Sequence, residues 1–357
     1  MAYTNIDDPS AHFHIQLYTG NDASDRDITN DANAGDFKPD WLWLKNRTDN
    51  STQHFWFNSN VGMPNHLYSD SNDPEQTATN KATAFNDDGF RIQSHSQVNG
   101  NGKNYVAWQW KGGSDAPTKT YKVVVVSDSG NKYRFRNSAD SATFAQSAVT
   151  IDLQEGGTYV FDWSDSTAQG HPIRFSLTSD GTHGGGSEYT TGVVKDDSAY
   201  KTTITVASGV ATLYYYCSNH SGMGGQVNTN ATKGSSNFDG DIQSVSQENT
   251  TGGFSIVRYT GNGTGSTQTV GHGLGAECRA IFLKMRTDAG DSWRVFHENG
   301  SQSAGGNLFL NGTSGLDTGD PARITSTNST TFTLTAYSSP YDAVNSNNKN
   351  YIAYCFA

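Results

Sequence analysis

Cysteine, positive charge and long apolar runs are all scarce in this 357-residue chain, and each scarcity excludes something. Three cysteines, Cys217, Cys278 and Cys355, do not make a disulfide framework. The last two sit in apolar strand-like runs, "GAECRAIFLKM" and "NYIAYCFA", where a buried free thiol is expected. The 24 Lys and Arg against 35 Asp and Glu leave a formal charge of −11, which opposes the phosphate contacts on which nucleic-acid affinity rests. Nucleic acid is therefore not an expected partner. No apolar run approaches the roughly 20 residues that span a bilayer, and the start, "MAYTNIDDPSAHFHIQ", lacks the basic and apolar regions of an export signal. The expectation is a soluble chain made in the cytoplasm, with no membrane insertion. Also missing are a Ser-His-Asp spacing, a G-x-S-x-G elbow, an H-E-x-x-H pair and a phosphate loop. The carboxylate pairs Asp87/Asp88 and Asp196/Asp197 fall in polar turns, so no enzyme and no catalytic residue is expected.

What the chain does have is glycine (38 residues), small polar residues and an aromatic fraction of 11%. Short aromatic strands joined by many tight turns suit that mixture, because Gly and Asn supply the left-handed positions that turns need. No long stretch has a helical period. Phe13, Ile15 and Leu17, or Phe332 and Leu334, alternate with polar residues at the period of half-buried strands. An all-β fold is expected.

Self-similarity supplies the organisation. "FHIQLYTGN" (13–21) returns as "FSIVRYTGN" (254–262), "WLWLKNRTD" (41–49) as "AIFLKMRTD" (280–288), and the aromatic run "HFWF" as "WRVF". The closing segments "VNGNGKNYVAWQW" (98–110) and "VNSNNKNYIAYCF" (344–356) match position by position. Two homologous β-sandwich or jelly-roll modules follow, residues 1–112 and 253–357. Between them, residues 118–229 read as seven or eight further strands, a Greek-key sandwich, and residues 230–252 have linker composition. Trp41, Trp43, Trp56, Trp108 and Trp110 are expected in sandwich cores rather than on a sugar-stacking face. Tyr337 and Tyr341 are candidates for surface recognition.

The central sandwich carries the chemistry. Cys217, His220 and Met223 form a C-x2-H-x2-M loop directly after the strand "TLYYY", and His171 opens the strand "HPIRFSL". Two imidazoles, a thiolate and a weak axial thioether are the ligand set of a blue-copper site, in which one fixed cage holds both oxidation states. The plainer reading is that the four residues merely pack at one end of a sandwich, and His183 in "GTHGGG" is a spare histidine on a loop.

With these residues in place, the central unit resembles a cupredoxin: a strand ending in Cys, a short loop with His and Met, and an upstream "HP" histidine. Its loop spacing is that of amicyanin. The resemblance implies His171 and His220 as imidazole ligands, Cys217 as thiolate, Met223 as axial ligand and copper as the cofactor, for electron transfer or for stiffening the loop.

The flanking repeats, with their "YTGN" openings, "KNR" turn, "FNDDGF" segment (85–90) and closing strands, resemble a module of tail and other virion structural proteins of tailed phages, marine ones especially. A "YYYC-x-NHSGMGG" insert recurs in that setting. The resemblance implies a bacteriophage virion protein, located in the tail and exposed toward the host surface for attachment or assembly. Other virion proteins, a homo-oligomer (trimer or ring) and a host-surface receptor are the partners it implies. An electron-transfer protein with docking modules is the alternative, and a secreted adhesin a third reading that the missing export signal opposes.

Overall fold

A computed structural model describes residues 6, 8–31, 37–300, 306–319, 321, 323–335 and 344–357; Tyr337 and Tyr341 lie outside them. The fold is all-β: among the described residues 44% are in strands and no helix has seven or more residues. No helix among the described residues is long and apolar enough to cross a membrane. The chain forms two compact units, one of residues up to Gly113 together with Gln247–Ala357, the other Ser114–Ser246.

The first unit contains both repeats, and the duplication extends to topology and register. In copy one a six-stranded sheet runs Phe13–Thr19, Asn104–Trp110, Trp41–Asn46, Phe55–Asn58, Asn65–Tyr68, Gln76–Thr77. In copy two the order is Ser244–Asn249, Phe254–Thr260, Asn350–Phe356, Ala280–Met285, Arg294–His297, Leu308–Phe309, so the strand that matches Phe13–Thr19 is flanked on both sides. Phe13 faces Trp110 and Thr19 faces Asn104, just as Phe254 faces Phe356 and Thr260 faces Asn350. Each copy closes with a three-stranded sheet: Arg26–Ile28, Gly89–Ile92 and Ala82–Asn86, or Gln268–Gly271, Thr331–Leu334 and Ile324–Thr327.

The residues that recur in sequence are consumed by one framework that recurs in space. Tyr18 stacks on Tyr105 at 5.0 Å and donates to the Val98 carbonyl at 2.6 Å; Tyr259 stacks on Tyr351 at 5.0 Å and donates to Val344 at 2.7 Å. Asn99 Oδ1 accepts from the Asn21 amide (3.2 Å), and Asn345 Oδ1 from the Asn262 amide (3.0 Å). The turn threonines Thr48 and Thr287 each accept, at 2.8 Å, from the amide that opens the closing strand. Lys103 pairs with Asp49, and Lys349 with Asp288. A Cβ on Gly20 would lie 2.2 Å from the Gly100 carbonyl, and one on Gly261 2.3 Å from that of Ser346. Only glycine permits that approach.

Copy one's own core, between its two sheets, holds Leu42, Leu44, Phe55, Phe57, Phe90 and Ile92. The tryptophans point the other way, since neighbours in a strand alternate faces. Trp41 and Trp56, 1% and 0% exposed, join Phe254, Ile256, Trp293 and Tyr354 of copy two in a second aromatic core. Trp56 lies 4.6 Å from Trp41, 4.7 Å from Trp293 and 5.0 Å from Tyr354, ring centre to ring centre. The expected sandwich tryptophans are thus buried between the copies, with Trp43, Trp108 and Trp110 half-buried at the margin. Asn58 donating to Tyr354 (3.0 Å), Trp293 donating to the Tyr68 carbonyl (2.8 Å) and a two-pronged Arg286–Glu75 ion pair add polar ties.

The second unit is a sandwich of two five-stranded sheets. One runs Asn131–Phe135, Thr118–Ser127, Thr158–Asp162, Lys201–Thr205, Val193–Asp196; the other Ile151–Gln154, Gly225–Asn230, Leu213–Cys217, Ile173–Ser176, Glu188–Tyr189. One parallel pair occurs in each sheet, and the remaining pairings are antiparallel. The stretch 230–252, whose composition reads as linker, instead carries the strands Ser235–Asn237 and Ser244–Asn249. Its serines are small enough to be buried with their hydroxyls satisfied. Ser235 Oγ bonds the Tyr159 hydroxyl at 2.7 Å, and Ser236 Oγ takes the Asp152 amide at 2.8 Å. Phe238 stacks on Phe135 at 4.6 Å, inside the core.

Candidate metal centre

The cluster is assembled by strand pairing and one tight hairpin. Cys217 ends the strand Leu213–Cys217 and faces Ile173. His171 stands two residues before Ile173, and the Ser218 amide extends the contact by donating to the Pro172 carbonyl at 3.1 Å. His171 is set by the turn before it, its amide donating to Ala168 at 2.9 Å, with Gly170 at φ 86°. Past Cys217 the chain makes a short loop through His220 and Met223 and returns as Gly225–Asn230, with Gly225 facing Tyr215. The return needs small residues: a Cβ on Gly224 would sit 1.8 Å from the Tyr215 carbonyl.

Cys217 Sγ lies 3.8 Å from His171 Nδ1 and 3.7 Å from His220 Nδ1, and the two imidazole rings are 4.6 Å apart. All three ligand atoms fall within 4.8 Å of one another. A metal–sulfur bond of about 2.3 Å and a metal–nitrogen bond of about 2.0 Å, opened by about 120°, put their outer atoms about 3.7 Å apart. The spacing found here fits a single ion held by two nitrogens and a sulfur. Cys217 is fully buried, His171 is intermediate and His220 is exposed. Met223, also fully buried, shares the hydrophobic cluster with Cys217. Burial, and then the neighbouring His220, hold His171 below the usual imidazole pKa, which favours the neutral ring that can donate a lone pair.

Around the ligands lie residues that no motif pointed to. The Asp180 carboxylate accepts from the Gly222 amide at 2.8 Å and from the Ser221 hydroxyl, and Lys132 Nζ donates to the Gly222 carbonyl. Both ties fall between His220 and Met223. The Tyr133 amide donates to the Met223 carbonyl at 3.0 Å, and its hydroxyl to the His171 carbonyl at 2.7 Å. Burial, then Cys217, raise the Tyr133 pKa well above its ordinary value, so the phenol remains a donor. His183 is not in the cluster; its Nε2 meets the Cys217 carbonyl at 3.0 Å. Asp196 caps a turn at Ser198 and Ala199, and Asp197 pairs with Arg174 at 2.7 Å.

Outer residues of this kind typically contribute about 10- to 100-fold to metal affinity. Asp180 has φ 59°, a left-handed conformation that Asn tolerates. Asp180→Asn should therefore keep the turn and lower metal affinity about tenfold, read by competition with a chelator. Unchanged affinity would mean that the loop holds its shape without the carboxylate.

Fold and site together define an all-β protein in which a duplicated sandwich module is interrupted by a two-sheet domain bearing a His-Cys-His cluster. The chain belongs to the family described as Domain of unknown function (DUF7483), whose model matches residues 8–147 and 221–357. Both repeats lie inside the matched stretches, whereas His171, Cys217 and His220 lie in the unmatched 148–220. No curated protein and no solved structure matches the chain.

Proposed function

We propose that the chain is a structural protein of a tailed-phage particle, placed in the tail and turned toward the host surface, with a copper-binding insert. The observation that carries this reading is the repeated framework: the side chains common to both copies are spent on internal hydrogen bonds, ion pairs and stacking. Modules whose shared residues all hold a shape serve assembly better than catalysis. The resemblance of those motifs to phage tail modules supports the same reading, and the charge of −11 turns the chain away from nucleic acid. Its partners in this reading are other virion proteins, further copies of itself and a receptor on the host.

The insert's own residues would hold copper through His171, Cys217 and His220, with the buried Met223 as candidate fourth ligand. A bound copper ion would supply one-electron chemistry; the protein's part is to fix two neutral imidazoles and a thiolate within one small cage. One observation favours the alternative, an electron-transfer protein: His220 is exposed while Cys217 beside it is sealed, leaving a ligand edge open to a docking partner. Mass spectrometry of gradient-purified particles separates the two. Peptides of this chain should be recovered from particles at the level of a structural component, and particles that assemble and infect without it would sink the virion reading.

A further inference from the structure

The strand Phe13–Thr19 stands at the edge of copy one's six-stranded sheet, with Asn104–Trp110 as its neighbour in that sheet. Proteins guard such edges with Lys, Pro, charge or bulges, because an open row of backbone donors and acceptors invites another strand. "FHIQLYT" contains no charged residue, no proline and no glycine, in a chain whose net charge is −11. It also carries two of the four large hydrophobic side chains exposed among the described residues, Ile15 at 46% and Leu17 at 56%.

The chain supplies its own comparison. In copy two the matching strand, Phe254–Thr260, is no edge, since Ser244–Asn249 lies beside it in the sheet; it has Arg258 where copy one has Leu17, and its Ile256, the counterpart of Ile15, is fully buried in the core between the copies. The apolar surface of copy one is continuous with that core. Ile15 faces Trp108, Trp108 faces Trp43, and Trp43 lies 4.9 Å from Trp108 and 5.3 Å from Trp56. A buried aromatic layer therefore runs outward to a strand with no charge of its own, on which two carbonyls are already occupied, that of Leu17 by Gln16 Nε2 at 3.0 Å and that of Thr19 by Arg26 Nη1 at 2.8 Å, so that pairing with another strand must displace them.

We propose that this edge pairs with the same edge of a second copy of the chain, antiparallel, about a twofold axis passing beside Gln16. A twofold interface must be self-complementary, and this strand is. With Gln16 opposite Gln16, Ile15 of each chain faces Leu17 of the other on one side of the joined sheet. All the exposed apolar side chains of the strand are thereby covered, and the two Gln side chains meet on the other side. The inference does not depend on the chain's being a virion protein, and it specifies a dimer contact rather than a ring.

The test is sedimentation equilibrium of the full chain at concentrations up to about 0.1 mM, the range that captures weak self-association. The expected mass is twice the 38.5 kDa of one chain. Leu17→Lys puts two ammonium groups into the joined strand and should weaken the dimer at least about tenfold. Circular dichroism should stay unchanged, since Leu17 is exposed. Gln16→Cys provides a second readout. Partners across an antiparallel pair have Cα atoms about 4.5–5.5 Å apart, within a disulfide's reach of about 4.4–6.8 Å. Diamide should then give a covalent dimer, and the buried Cys217, Cys278 and Cys355 should not. A monomer at every concentration, a trimer, or a dimer that is insensitive to Leu17→Lys and uncrosslinked through Gln16→Cys would overturn the proposal.

Discussion

Copper(II) added to the purified chain should bind in a single equivalent and give a strong visible band from thiolate-to-metal charge transfer, and Cys217→Ser should abolish that band. The expectation rests on three ligand atoms already spaced as one ion requires, two imidazole nitrogens at 3.8 and 3.7 Å from one sulfur. Little loop rearrangement is needed for binding, so most of the binding energy is available as stability. Copper at about a thousand times its dissociation constant should stabilise the second unit by about 4 kcal/mol. Cys217→Ser should lose that increment and, in the absence of metal, cost about 1–3 kcal/mol for a hydroxyl buried without a partner of its own. His220→Ala is the complementary variant. His220 is exposed, so its removal should leave the metal-free fold intact while weakening binding. A band that survives Cys217→Ser would mean the sulfur is not a ligand. A colourless protein that still binds copper would mean the ion sits elsewhere.

Trp56→Ala should cost about 3–5 kcal/mol, the loss expected for removing a fully enclosed aromatic. The indole is unexposed and surrounded by Trp41, Trp43, Phe282, Trp293 and Tyr354, with centres 4.6–5.8 Å away. Because these neighbours come from both copies, the loss should appear in the urea unfolding of the first unit as a whole, each copy losing part of its footing. The copper-dependent stability that rests on His171, Cys217 and His220 should be unchanged. A cost below about 1 kcal/mol would show that the two aromatic faces hold together without the side chain at their centre.

Much of this was legible in the sequence because it is written in local or repeated patterns. The closing strands announce the duplication residue by residue, and the strand before the loop places Cys217, His220 and Met223 in order. His171 was legible from its setting, a turn followed by His-Pro at the head of a strand. The packing of the two copies was not, since a Trp at every second position marks a buried face without saying what buries it. Nor was the structure of residues 230–252: serine and asparagine signal solvent until a Tyr159 hydroxyl or an Asp152 amide arrives from a strand some eighty positions earlier. Asp180 gave only a turn signal, Ser-Asp-Gly, and nothing local tied that turn to a loop forty residues away.

The order of the parts along the chain has a consequence at the ribosome. Copy one is complete by residue 113, but the face that covers Trp41 and Trp56 belongs to residues 254–354. At roughly 5–20 residues per second, the interval lasts on the order of ten to fifty seconds, during which the second unit can finish folding while the tryptophan face of copy one stays bare. Synthesis thus creates a sticky half-molecule before it creates its cover. A nascent-chain chaperone would find its binding surface there, and slow codons downstream would lengthen the exposure.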